Sequence, residues 1–97
     1  MTDQITTVGY CFRQWHIPAR MMGGLQHWIE DGIPPGDFLY SVLCNDLMKA
    51  CQAADDENLD NLPAYAAYLY NEAPSQCHGS PEKVRAWAKK FLQEDEK

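Results

Sequence analysis

Closely paired metal ligands are missing from this chain. It has four cysteines and three histidines, yet no C-x-x-C and no spaced histidine pair, which removes the usual zinc frames. Glycine is sparse, and neither Gly23-Gly24 nor Gly32-Ile33-Pro34-Pro35-Gly36 matches G-x-G-x-x-G or a P-loop. No serine sits in a G-x-S-x-G elbow. No apolar run approaches the ~18 residues a membrane helix needs. A basic-then-apolar amino terminus is lacking too, so no secretory leader and no membrane association are expected. The expected compartment is the cytoplasm, the host's if the gene is a phage's, where the cysteines stay reduced and form no disulfide framework. Basic residues are the scarcer charge, 8 against 14 acidic, for a net charge of -6. Such a balance repels phosphate backbones and argues against nucleic acid as a partner.

What is present describes one folded domain. Its 97 residues are 45% hydrophobic and 11% aromatic, the composition of a globule with a thin core. A core that thin gains from self-association, so a homo-oligomer is one expectation. The acidic clusters Asp55–Glu57 with Asp60 and Glu94–Glu96, and the basic set Lys83, Arg85, Lys89 and Lys90, read as solvated surface.

The pattern predicts an all-α fold, a compact bundle of about four short helices with an extended N-terminal arm. Residues 1–16 are the arm, 17–93 the helical domain and 94–97 a frayed tail. Ile5, Thr6, Thr7, Val8, Tyr10, Phe12 and Trp15 are β-branched or aromatic and favour extended chain. No second strand is expected, so the arm must pack on the helices or pair with another copy; a short helical turn is the alternative. The first helix is predicted from Pro18 to Asp31, with Met21, Met22, Leu25, Trp28 and Ile29 on one face. Gly23-Gly24 inside it implies close approach of another helix or of a ligand. Gly32 ends it, and Pro34-Pro35 turn the chain back into a second helix, capped by Asp37 and running to Ala54 on a stripe that includes Leu39, Leu43 and Leu47. A third helix either starts at Asp56 and bends at Pro63 or starts late with Asn61 as its cap. Leu59, Leu62, Ala66, Leu69 and Ala73 form its apolar face. Ser80, Pro81 and Glu82 make the clearest helix start, with Val84, Trp87, Ala88, Phe91 and Leu92 facing inward.

Chemistry-bearing candidates are few. Cys77 precedes a helix start, which would lower a thiol pKa. Cys44 and Cys51, seven apart, read as core filling. His27 and Asp31, at i and i+4, read as a surface pair. The last helix interleaves Trp87 with cations, a weak nucleic-acid signature, since Trp87 also belongs to the apolar stripe. Asn45 and Asp46 are mediocre helix formers inside a predicted helix, and Tyr70 and Asn71 close the next one. If these four meet, they make a polar site on an apolar wall, the usual form of a ligand pocket. With Arg20, they are the candidate ligand- or partner-binding residues. No catalytic residue, metal ligand or cofactor is expected.

One combination of motifs has a counterpart elsewhere. Its elements are Ile17-Pro18, Met22, Gly24-Leu25, Gly32-Ile33-Pro34-Pro35-Gly36, Phe38-Leu39, Val42-Leu43 and Asn45-Asp46-Leu47, then Leu69-Tyr70-Asn71, Ala73-Pro74, Cys77, Gly79-Ser80-Pro81-Glu82, Val84 and Trp87. Together they resemble short, largely uncharacterised accessory proteins of tailed bacteriophages. Residues 1–16 and Pro63 fall outside the resemblance. It implies a non-enzymatic protein that binds and inhibits a host or defence component, either a protein complex or a small nucleotide signal, and it transfers no residue roles. For a nucleotide, Arg20, Tyr70 and Gly23-Gly24 are the expected contacts. A small DNA-binding regulator using the last helix is the alternative, and a metal- or thiol-dependent enzyme comes after it.

Overall fold

The computed structural model describes residues 8–95, and the side chains of residues 9–92. Residues 1–7 of the expected arm and 96–97 of the expected tail lie outside the described residues. Within it are a two-stranded hairpin and six α-helices. The chain is therefore mostly helical, with more and shorter helices than four, and it is not purely α.

The arm is corrected first. Val8–Phe12 forms β1, and its partner is in the same chain: Trp15–Pro18, here β2, pairs with it antiparallel. The two-residue turn, Arg13-Gln14, lacks the glycine or asparagine that usually signals a hairpin. Arg13 takes the positive φ itself, at 56°. The register slips between Val8 and Tyr10, around Gly9, where an added side chain would overlap Met22. Tyr10 packs edge-on against Tyr68, ring centroids 5.1 Å apart, and Ile17 is fully buried.

Helix α1, Ala19–Asp31, carries Leu25 and Trp28 into the core. It ends where Gly32 adopts φ 69°, with the Gly32 N–H bonded to the Trp28 carbonyl at 3.0 Å and the Ile33 N–H to that of His27 at 3.3 Å. The close approach expected at Gly23-Gly24 falls on Gly24 alone, where a Cβ would stand 3.1 Å from Leu39 Cδ1; Gly23 faces open space.

The predicted helix 37–54 is two helices, α2, Asp37–Leu43, and α3, Leu47–Ala53. Asn45 takes φ 62°, a left-handed conformation asparagine tolerates. The Asn45 and Asp46 N–H groups close back on Val42 and Ser41 at 3.0 and 2.9 Å. The Asp46 carboxylate then caps α3 by accepting the Lys49 N–H at 3.2 Å. Asn45 and Asp46 are thus the joint between two helices, not residues inside one. Gly36, not Asp37, holds the cap position of α2.

Both readings of Pro63 contribute. Helix α4, Asp56–Asp60, starts on the Asp55 cap, and α5, Leu62–Glu72, restarts after Asn61 with Pro63 in its first turn. Asn61 spends its amide on tertiary structure, accepting the His16 N–H at 2.9 Å and donating to the Glu57 carbonyl at 2.8 Å. Beside it, buried Tyr65 donates to Asn58 Oδ1 at 2.6 Å, and burial pushes the Tyr65 hydroxyl pKa upward.

After a 3-10 turn at Ser75–Cys77, α6 runs from Pro81 to Asp95, with Ser80 Oγ accepting the Lys83 N–H at 3.1 Å. Two tryptophans join this C-terminal part to α1. Trp28 Nε1 donates to the Cys77 carbonyl at 3.0 Å, and Trp87 Nε1 donates to the Trp28 carbonyl at 2.9 Å. Leu92, expected inside, is exposed, as is Leu59.

An exposed ion cluster straps α4 to α1. Arg20 Nη2 lies 3.1 Å from Asp55 and 3.0 Å from Glu57, and His16 Nε2 lies 3.5 Å from Glu57. The Asn58 N–H, then Arg20, hold the Asp55 carboxyl below its ordinary pKa; Arg20 first, then His16, do so for Glu57. Depressed carboxylate pKa values stabilise the fold above the unfolded-state values near pH 4 and cease to do so as pH falls through the folded values. Thermal melts from about pH 7 to pH 3 should therefore show a steeper acid loss for wild type than for Arg20→Gln. Part of the acid loss should survive in the variant, because the Asn58 N–H still bonds Asp55.

A candidate docking cleft

The chain's second apolar surface arises from α5. Its first nine residues, Leu62-Pro63-Ala64-Tyr65-Ala66-Ala67-Tyr68-Leu69-Tyr70, are apolar on every side, before Asn71 and Glu72 close it. Ala64, Tyr65, Ala67 and Leu69 take the core. Ala66, placed inside by the single-stripe reading, is instead exposed. With Leu62, Pro63 and the outer side of Leu69 it forms one wall of a cleft of about 560 Å³. The opposite wall is the α2–α3 joint, from Val42 and Asn45 through Asp46 and Leu47 to Ala50. His78 and Gly79 close one end, fixed there by the Gly79 N–H donating to the Leu43 carbonyl at 2.8 Å.

Two residues stand out on the rim. Tyr70 is 86% exposed and Leu47 67% exposed, and both line the cleft. Large apolar side chains held in water beside a concave apolar surface mark interaction sites more often than they mark folding units. Burial lowers the His78 pKa, which favours the neutral imidazole. Asp46 is the one carboxylate in the lining, and no Lys or Arg belongs to it.

The sequence-predicted candidates separate. Asn45, Asp46 and Tyr70 share this cleft, whereas Asn71 is exposed and does not line it. Arg20 lies elsewhere, paired with Asp55 and Glu57. Gly23 and Gly24 line a shallow depression of about 240 Å³ with His27 and Ile33–Pro35. The three expected nucleotide contacts therefore fall in three different places. His78, Leu62, Pro63 and Ala66 were missed as lining residues. An α5 that is apolar on all sides was the available signal, because a helix buried on one side needs only one stripe.

Comparison with protein-family models, characterised proteins and solved structures finds no match to this chain.

Other candidate chemistry is repositioned. Cys77 is fully buried in the 3-10 turn, and burial raises its thiol pKa, opposite to the lowering expected before a helix start. Cys44 is buried as expected, but Cys51 is exposed. Trp87 is buried, with Lys90 Nζ over its ring at 4.5 Å from the centroid, so it offers no stacking platform for a base. Among the described residues, no three His, Cys, Asp or Glu side chains gather as metal ligands, and no helix is long and apolar enough to cross a membrane.

Proposed function

We propose that this chain is a non-catalytic binding protein, an accessory factor of the tailed-phage kind, that inhibits a host or defence protein by docking it in the cleft between α5 and the α2–α3 joint. The observation that carries this reading is the exposure of Tyr70 and Leu47 on the rim of an apolar concavity. Interfaces concentrate aromatic and apolar anchors at a core depleted of charge, and this lining holds a single carboxylate. A nucleotide signal has less support, because its phosphates would meet Asp46 without a lysine or arginine in the lining. Arg20, the cation expected to serve that role, is already paired with two carboxylates.

The test is phenotypic and structural together. Production of the wild-type chain in a bacterial host should slow growth or weaken a resident anti-phage defence. Leu47→Asp with Tyr70→Asp should abolish that effect while the melting temperature stays within a few degrees, since both side chains stand mostly in solvent. A wild-type chain with no effect on growth or on defence overturns the reading. So does a double variant that acts as strongly as wild type.

A further inference from the structure

We infer that the occupant of the cleft is a cationic amphipathic helix of the partner, its apolar row lying along the α3–α5 trough and a Lys or Arg beside it reaching Asp46. This rests on the docking role proposed above and names the chemistry of the partner.

Three observations lead there. Most of the lining is helical, and among the described residues no strand belongs to it. A bound strand would find no strand edge to extend, whereas a helix satisfies its own backbone. The trough from Leu47 and Ala50 across to Leu62, Ala66 and Tyr70 suits anchors at i, i+3 or i+4, and i+7. Its volume of about 560 Å³ admits a row of side chains, not a folded domain.

Charge then selects the sign. Asp46 sits at the polar end with Asn45, His78 and Gly79, and one of its oxygens caps α3 at 3.2 Å from the Lys49 nitrogen. It makes no ion pair among the described residues. Among the described residues no Lys or Arg lines the cleft: Arg20 is on Asp55 and Glu57, Arg85 beside Glu82, Lys90 over Trp87. Lys49 and Arg85 share a second concavity with Asp46, and Lys83 stands near Gly79, yet none of the three lines this cleft or forms an ion pair with Asp46. A net charge of -6 adds long-range attraction for a basic partner and repulsion for a second copy.

Two helical peptides of about 14 residues, with the same leucine row and either Lys or Glu flanks, separate the possibilities by titration calorimetry against the full chain. The Lys peptide should bind wild type at least about tenfold tighter than the Glu peptide. Asp46→Asn keeps the cap, because asparagine caps as well as aspartate, and removes the charge; it should weaken Lys-peptide binding about three- to fivefold. Asp56→Asn, an equal change of net charge on exposed α4, should leave it unchanged. Ala66→Phe fills the trough from an exposed position and should weaken binding about tenfold or more. Equal losses for Asp46→Asn and Asp56→Asn would reduce the effect to bulk charge and overturn the inference. So would an Ala66→Phe variant that binds normally, or a Glu peptide that binds as tightly. A wild-type dimer by light scattering that Ala66→Phe makes monomeric assigns the cleft to a second copy instead. If the Lys peptide fails while Leu47→Asp with Tyr70→Asp still abolishes the cellular effect, this inference falls and the docking role stands.

Discussion

Trp28→Ala should leave the chain largely unfolded at 37 °C. Trp28 is fully buried at the centre of the core, with Leu25 and Leu43 in the same cluster. Truncating a buried tryptophan costs about 3–5 kcal/mol from lost burial and the cavity left behind. A further loss is polar: the indole N–H is the donor to the buried Cys77 carbonyl at 3.0 Å, and a buried acceptor without its donor costs about 1–3 kcal/mol. Domains of this size hold only about 5–15 kcal/mol in total, so one substitution removes a large share. The loss should not stay local. The Cys77 turn and α6 are tied to α1 through Trp28 and through Trp87, whose N–H bonds the Trp28 carbonyl. Thermal melts followed by near- and far-ultraviolet circular dichroism should show both signals lost together, with the melting temperature lowered by roughly 15–60 °C. Trp28→Phe keeps most of the volume but not the donor, and should fall between. A variant that melts within a few degrees of wild type would mean that the core is organised elsewhere.

Much of this core was legible from periodicity. Leu25, Trp28, Leu39, Leu43, Val84 and Trp87 recur at helical spacing and are buried, and Ser80-Pro81 starts its helix where a cap and an N1 proline should. Local signals failed where tertiary structure uses residues against their usual grammar. Arg13-Gln14 makes a hairpin turn without glycine, so Trp15–Pro18 was not seen as the strand that pairs with β1. Asn45-Asp46 was flagged as poor helix, yet the consequence, a left-handed residue followed at once by a new cap, needed the backbone to be seen. The cleft was half legible for the same reason. Asn45, Asp46 and Tyr70 meet once α3 is turned away from α2, while Asn71, one residue beyond Tyr70 on α5, points elsewhere. A single-stripe reading assigned Leu47 and Ala66 to the core, but the joint and the all-round apolar α5 turn both outward. The chain's apolar surplus is thereby spent on a rim instead of a thicker core.

Gly32→Ala should destabilise the protein by about 2–5 kcal/mol, more than its half-buried loop setting implies, and for two separable reasons. The first is conformational. Gly32 holds φ 69° as the residue that closes α1, and a side chain there costs about 1–2 kcal/mol. The second is steric. An added Cβ would overlap the Phe91 ring, 2.7 Å from Cγ and 3.0 Å from Cβ. The nearest atom met is ring Cδ2, and turning the ring about its own axis leaves Cγ and Cβ in place, so relief needs a new χ1 or a shift of α6. Overpacking of this kind costs about 1–3 kcal/mol. Gly32→Asn tests the partition, because asparagine tolerates the left-handed region but still carries a Cβ. It should recover the conformational part only. Gly32→Ala with Phe91→Ala should recover the steric part, losing less stability than the sum of the single variants by about 1–2 kcal/mol. Additive losses in that cycle would place the whole cost in the backbone. The contact matters beyond stability, because Phe91 also packs edge-on against Trp87, ring centroids 5.6 Å apart, and Trp87 bonds the carbonyl of Trp28. The end of α1, the middle of α6 and the core tryptophan are thus one mechanical unit, and glycine is the residue that lets its members approach.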